Sequence, residues 1–393
     1  MRKKQINSSR MPIYRDAGFE LYDAGTTKEA FAKETENERI PELYIYSRYR
    51  NPTVTAAEDE VMKLEKCEWA LLTQSGMSAI DTALSVFQRG SQTRPWLFFS
   101  EIYGGTISYT DSILKGRRGI QVHSFFPSGE KYDREEFDRI MTEADPEIIY
   151  IEIISNPMLI VTDLEYVIYK ANSRGAKVIV DNTFSTPILC RPLDLGADLV
   201  IHSATKYFSG HGNITAGVVC GNDQSLMKQA LEYRKFVGHM ISPDDAYRLT
   251  TQIQTFPLRF RQQCINAEMI TNLMRSHPAV GKVWYPGLES HPTHGEAVKL
   301  FGTKGFGAMV TVDFAGETRE EKKNRRDIFI KSVSDEIKII PSLGDPKTII
   351  MPVESVWGAK YPEPGIIRIS AGFEDTSLLE STIAEALKTV LAV

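Results

Sequence analysis

Cysteine is scarce in this chain. Four occur in 393 residues, Cys67, Cys190, Cys220 and Cys264, and none belongs to a C-x-x-C pair. Neither a disulfide framework nor a metal site is suggested by such spacing, and a reducing compartment fits it. Long apolar runs are missing too. No stretch of about 18 apolar residues occurs, and no apolar segment follows the basic residues at the start, so neither a membrane span nor a secretory leader is expected. A cytoplasmic location is the expectation these absences leave. Positive charge is not in excess either: 46 Lys+Arg against 51 Asp+Glu give a net charge of −5. No field is present to attract phosphate backbones or anionic membranes, and the local run Lys322-Lys323 with Arg325-Arg326 reads as a solvated helix face. Nucleic acid and membrane are therefore excluded as expected partners. Repeats of solenoid period and low-complexity segments are absent as well.

What is present is the composition of an ordinary globular protein, 42% hydrophobic and 25% charged, long enough for two or three units. Residues 1–45 are polar and turn-rich, and read as an arm without its own core. From residue 46 to 242, short apolar runs (Ala70–Leu72, Trp96–Phe99, Ile148–Ile154, Ala176–Val180, Leu199–Ile201) alternate with helical patterns (Met77–Phe87, Asp133–Glu143, Leu164–Ser173). This alternation predicts an α/β domain, doubly wound around a mostly parallel sheet. Beyond Ser242-Pro243-Asp244, a helix start, a long periodic stretch towards His277-Pro278 predicts one linking helix. Strands over Ala308–Phe314 and Gly365–Ser370 and an amphipathic helix over Ser377–Leu391 then predict a smaller α+β domain in 243–393.

Ligands of open α/β sheets bind beyond the carboxyl ends of the strands. Three such ends are chemically suggestive: Asp181-Asn182-Thr183, His202-Ser203-Ala204-Thr205-Lys206-Tyr207, and Thr73-Gln74-Ser75-Gly76-Met77. Taken singly, Asp181 reads as a cap, Lys206 as a surface cation, and Ser203 and Thr205 as turn residues. Together they put an acid, a lysine and a helix start on one crevice. A lysine in a dry crevice becomes a carbonyl nucleophile, and free amides at a helix start hold phosphate. Neither the G-x-x-x-x-G-K-[ST] loop nor G-x-G-x-x-G is matched, and Gly210-His211-Gly212 lacks the rest of either.

From about Tyr44 to Asp375 the chain resembles the pyridoxal-phosphate enzymes of cysteine and methionine metabolism, which include cystathionine γ-synthase, the cystathionine lyases, methionine γ-lyase and O-acetylhomoserine sulfhydrylase. The motifs fall in family order: Tyr46-Ser47-Arg48 before Asn51-Pro52-Thr53, Ser75-Gly76-Met77-Ser78-Ala79, Tyr103-Gly104-Gly105-Thr106, Ser155-Asn156-Pro157, Asp181-Asn182-Thr183, Ser203-Ala204-Thr205-Lys206-Tyr207 and Arg368-Ile369-Ser370. The resemblance implies a fold-type I transferase with pyridoxal 5'-phosphate as cofactor and Lys206 as its Schiff-base lysine and proton carrier. Asp181 is implied at the pyridine nitrogen, Asn156 at the phenolic oxygen, and Ser75, Gly76, Met77, Ser203 and Thr205 at the phosphate. Tyr103 is implied as a stacking ring that assists proton transfer, and Arg368, Ser342 and Asn156 at the amino-acid substrate. Tyr46 and Arg48 are implied to reach the phosphate of a neighbouring subunit. The assembly would then be a homo-oligomer with shared sites, a tetramer by family precedent, and the arm a subunit-contact segment ordered by assembly.

The implied reaction is γ-elimination or γ-replacement on a sulfur-containing or O-acylated homoserine-type amino acid, with β-elimination on cystathionine or cysteine as the near alternative. A cofactor-binding subunit without catalysis is the alternative of another class, and the joint presence of Lys206, Asp181, Tyr103 and Arg368 argues against it. Three positions depart from the family. Pro341 stands where cystathionine lyases commonly carry a glutamate, and Gly105 where methionine γ-lyases carry a cysteine. Met351–Gly358 replaces a His-Pro-Ala-Ser-x-Thr-His stretch, leaving Glu354 and Trp357 either at the pocket entrance or in a surface loop.

Overall fold

The computed structural model describes residues 10–90 and 93–392. Residues 1–9 of the expected arm lie outside the described residues. Seven short strands form the first sheet: β1 (Trp69–Thr73), β2 (Trp96–Phe99), β3 (Val122–Phe125), β4 (Ile148–Glu152), β5 (Lys177–Asp181), β6 (Leu199–His202) and β7 (Gly217–Gly221). Their order is β1-β7-β6-β5-β4-β2-β3, with β7 antiparallel to both neighbours and the other pairings parallel. The central strands are buried on both faces, which is why they read as continuous apolar runs rather than alternating ones. β1 and the five parallel strands all point the same way, so their carboxyl ends share one edge.

Crossover helices follow where the caps dictate. Ser75 accepts from the Ser78 amide at the start of Gly76–Ser85, and Asp133 from the Glu136 amide at Arg134–Glu143. The arm is more structured than expected. Asp23 caps a helix over Ala24–Glu34, and buried Glu34 meets Arg50 at 2.7 Å and Lys235 at 3.2 Å within its own chain. Charged periodicity hid this helix, because its apolar face is narrow.

The single linking helix expected after Ser242 is two, Pro243–Ile253 and Phe256–Arg275. Pro257 accounts for the break: it lacks the amide that would bond to Ile253, and its ring crowds that carbonyl. The longer helix serves two cores. Phe256, Phe260 and Cys264 pack with the first sheet, whereas Ala267, Ile270 and Met274 pack with the second.

That second sheet contains β8 (Val280–Trp284), β9 (Met309–Phe314), β10 (Lys338–Ile339), β11 (Ile349–Pro352) and β12 (Ile366–Ser370) in the order β10-β11-β12-β9-β8, antiparallel except for β10 with β11. Helices Arg319–Val333 and Thr376–Leu391 join Phe256–Arg275 over it, burying Val310, Val312, Phe314, Phe329, Ile367 and Leu387. Among the described residues no helix is long and apolar enough to cross a membrane.

Candidate active site

A cavity of about 230 Å³ opens at the shared carboxyl edge of the first sheet, closed on its far side by the second. The first sheet lines it mainly with residues at or just after the carboxyl ends of its strands. Ser75, Gly76 and Met77 follow β1, Tyr103 follows β2, Asn156 follows β4, Asp181 ends β5, and Ser203, Thr205 and Lys206 follow β6. From the second sheet come Ser342, ahead of β11, and Arg368 on β12. The cavity therefore gathers every expected site residue except Tyr46 and Arg48. Those two lie at the surface, where Arg48 donates to the Lys235 carbonyl at 2.6 Å and covers the Tyr49 ring at 4.9 Å.

Lys206 sits in a tight turn. Its amide donates to the Ser203 carbonyl at 3.0 Å, and the Thr205 hydroxyl exchanges hydrogen bonds with the backbone of Ala216. Just beyond, buried Arg259 donates to the carbonyls of Tyr207 and Phe208. A Cβ on Gly210, whose φ is +64°, would lie 1.6 Å from that guanidinium, so the anchor requires glycine there. The Lys206 amine donates to Ser342 Oγ at 3.1 Å. Burial and then the charge of Arg368 lower its proton affinity, with Asp345 opposing.

Asp181 is held from two sides. Its Oδ1 accepts from the Thr183 amide at 3.0 Å and hydroxyl at 2.6 Å, and Oδ2 accepts from the Tyr150 hydroxyl at 3.3 Å. Burial raises its proton affinity, and the Thr183 bonds work against that rise. Beside it Glu152, also buried, accepts the Tyr103 amide at 2.6 Å, and burial and the charge of Asp181 push its carboxyl well above the usual range. Tyr103 immediately precedes a short helix, Gly104–Tyr109, and is 49% exposed where it lines the cavity.

Arg368 has no acid to answer it. It is 6% exposed, yet among the described residues it forms no ion pair; Nη1 donates to Asn156 Oδ1 at 3.0 Å, Nη2 to the Ser342 carbonyl at 2.9 Å, and Nε has no partner. Burial lowers its pKa to about 10. A buried cation without an anion is poised for an anionic ligand. Of the open positions, Glu354 turns away to Arg326 and Arg319, at 3.5 and 3.9 Å, while Trp357 faces Arg368.

Sequence reasoning missed Glu152 and Tyr150 as members of the site, and named Thr183 only within the Asp181-Asn182-Thr183 motif, without a role. For Glu152 a signal existed, an acid inside the apolar run Ile148–Ile154.

The residues fit a phosphorylated aldehyde cofactor. First-turn amides of a helix lack intrahelical acceptors, and those of Gly76 and Met77 open onto the cavity between two strand ends. A Cβ on Gly76 would stand 2.9 Å from that of Ser203, filling the gap a phosphate needs. A buried acid, Asp181, faces the same space from β5, and a lysine from β6.

Comparison with known proteins agrees. The family model for Cys/Met metabolism PLP-dependent enzymes matches residues 1–388. An L-methionine gamma-lyase of Fusobacterium nucleatum subsp. polymorphum is 32% identical, over 99% of this chain and 95% of its own. A cystathionine gamma-lyase of Bacillus subtilis is 35% identical, over 88% of this chain and 89% of its own. Cystathionine gamma synthase from Xanthomonas oryzae pv. oryzae, solved in complex with cystathionine, superposes with a TM-score of 0.84 at 27% identity, covering 97% of this chain and 93% of that one. The chain belongs to the Cys/Met metabolism PLP-dependent enzymes, a fold-type I α/β family, and pyridoxal 5'-phosphate is its cofactor.

Proposed function

We propose that the protein catalyses γ-elimination or γ-replacement on a sulfur-containing or O-acylated homoserine-type amino acid. One observation carries the reading: Ser342 binds Lys206 through its hydroxyl and Arg368 through its carbonyl, at 3.1 and 2.9 Å. An amine-handling group and an unanswered guanidinium thus stand on either side of one residue. An α-amino acid matches that spacing, its carboxylate on the Arg368 fork and its Cα hydrogen towards Lys206. The kinship with methionine and cystathionine γ-lyases supports the choice of substrate class.

When bound, pyridoxal phosphate supplies an aldehyde for the substrate amine and a ring that accepts electrons from Cα. Ser75, Gly76, Met77, Ser203 and Thr205 would hold its phosphate, Asp181 its ring nitrogen, Asn156 its phenolic oxygen and Tyr103 its face. Lys206 does the proton work. Desolvation and Arg368 favour its neutral amine, so it would take the Cα proton, hand it to the aldehyde carbon of the cofactor and, neutral again, take a proton from Cβ, leaving the Cγ substituent to depart. Tyr103, at the mouth, is placed to give that substituent a proton. Pro341 and Leu343 offer the substrate side chain an apolar wall.

Tyr46 and Arg48, outside their own cavity, are assigned to the phosphate of a second copy, with residues 1–45 as the contacting arm, 46–242 as the cofactor domain and 243–393 as the smaller domain. The active unit is then at least a dimer, and a tetramer is the proposed assembly. Four buried free thiols suit a reducing cytoplasm.

The test is product analysis after incubation with methionine, homocysteine, cystathionine, cysteine and O-acetylhomoserine, with and without added thiol. The expected product is 2-oxobutyrate, or a new thioether when thiol is present. Pyruvate alone would replace this reading by β-elimination, and no turnover of any of the five would reject it.

A further inference from the structure

The edges of the Arg368 guanidinium are held by Asn156 and Ser342, but these bonds leave its faces free to tilt. One face is covered. The Trp357 ring centroid lies 5.6 Å from Cζ, within range of cation–π attraction, which strengthens when the cation is desolvated. Trp357 is braced in turn by packing on the small apolar cluster of Trp284, Val353 and Ile366.

The segment that carries Trp357 leaves β11 at Pro352, turns through a short helix over Val353–Trp357 and continues to Lys360. There it crosses to the first sheet. Lys360 Nζ lies 3.1 Å from Glu101 Oε1 and donates to the Ser100 carbonyl at 2.9 Å. Glu101 is buried, Lys360 is its one ion pair among the described residues, and its other oxygen has no partner. Ser100 and Glu101 lead directly from β2 into Tyr103. One segment therefore touches Arg368 at one end and the approach to Tyr103 at the other.

We propose that Trp357 is a positioning residue for the carboxylate clamp: its indole holds the Arg368 guanidinium in the plane in which the fork faces the substrate, and the Lys360–Glu101 ion pair fastens the segment across the mouth of the cavity. The inference rests on the reading of Arg368 as the group that meets the substrate carboxylate. A tilted fork engages a carboxylate through one bond instead of two, so a substrate without that group is indifferent to the tilt.

The experiment uses the cofactor-loaded enzyme and two unreactive ligands, norleucine and n-pentylamine, which differ by the carboxylate. Binding is read from the change in cofactor absorbance. Trp357→Ala is expected to weaken norleucine about tenfold and to leave pentylamine unaltered. Trp357→Phe should restore most of the loss, and Lys360→Met should give the same selective loss on a smaller scale. With a turned-over substrate, KM should rise more than kcat falls. Equal weakening of both ligands, or no weakening, overturns the proposal. Should Trp357→Ala fail to fold by thermal melting, Lys360→Met decides it by the same comparison. Wild-type enzyme that binds both ligands alike would instead refute the role of Arg368 itself, so the two failures are distinguishable.

Discussion

Arg368→Gln removes the cation that lines the cavity with Lys206 and is assigned above to the substrate carboxylate, while leaving an amide long enough to approach Asn156 and the Ser342 carbonyl. A hydrogen bond to a charged group contributes about 1.5–3 kcal/mol, so losing the charged fork should lower kcat/KM by roughly 10- to 150-fold. A second effect follows from the first sheet. Burial and then Arg368 depress the proton affinity of Lys206; without the guanidinium that affinity rises, less free amine is present at a given pH, and the acid limb of the kcat profile should move to higher pH. A third concerns stability. A buried guanidinium without an acid partner destabilises the folded state, as its pKa of about 10 reflects. The cofactor-free variant should therefore melt no lower than wild type. Steady-state kinetics across pH and thermal melting check all three. An unchanged KM, a limb displaced towards lower pH, or a collapse of the melting temperature would each refute the reasoning, the last by making Arg368 a structural residue.

Lys206→Ala should bind pyridoxal phosphate without the visible band of a lysine-linked cofactor and should lose turnover; retention of the band would reassign the attachment site. Glu152→Gln should change the pH dependence of stability. Burial and Asp181 raise the proton affinity of Glu152 in the folded state, so wild type loses stability as pH rises above the ordinary carboxylate range. The variant should gain in melting temperature over wild type between acidic and neutral pH, and a constant difference would refute the claim. Arg48→Ala and Lys206→Ala, each inactive alone, should regain activity when refolded together, since a mixed dimer restores one intact site. No regain would place Arg48 outside the shared site.

Much of the fold is legible in the sequence where burial is two-sided. Ile148–Ile151 and Leu199–Ile201 read as strands because no charged residue interrupts them. Three edge or reversed strands are not: β3 exposes His123 and Ser124, β7 is bracketed by Gly217 and Gly221, and β10 has two residues. The cavity was readable because its residues sit at strand ends, a position fixed by local pattern. Glu152 acts through contacts between strands, which spacing along the chain does not encode, whereas Thr183 reaches Asp181 only two residues away. Trp357 and Glu354 looked equivalent in sequence; tertiary packing separates them, one to Arg368 and the other to Arg326.

Phe256–Arg275 gives its first turns to one core and its later turns to the other. Lys206 and Arg368, far apart in the chain and attached to different sheets, are thus referred to one rigid rod. Melting that rod detaches both sheets from a common frame, so the lysine and the arginine lose their mutual spacing in the same event. The distance between the lysine amine and the guanidinium is thus tied to a helix on which neither residue lies.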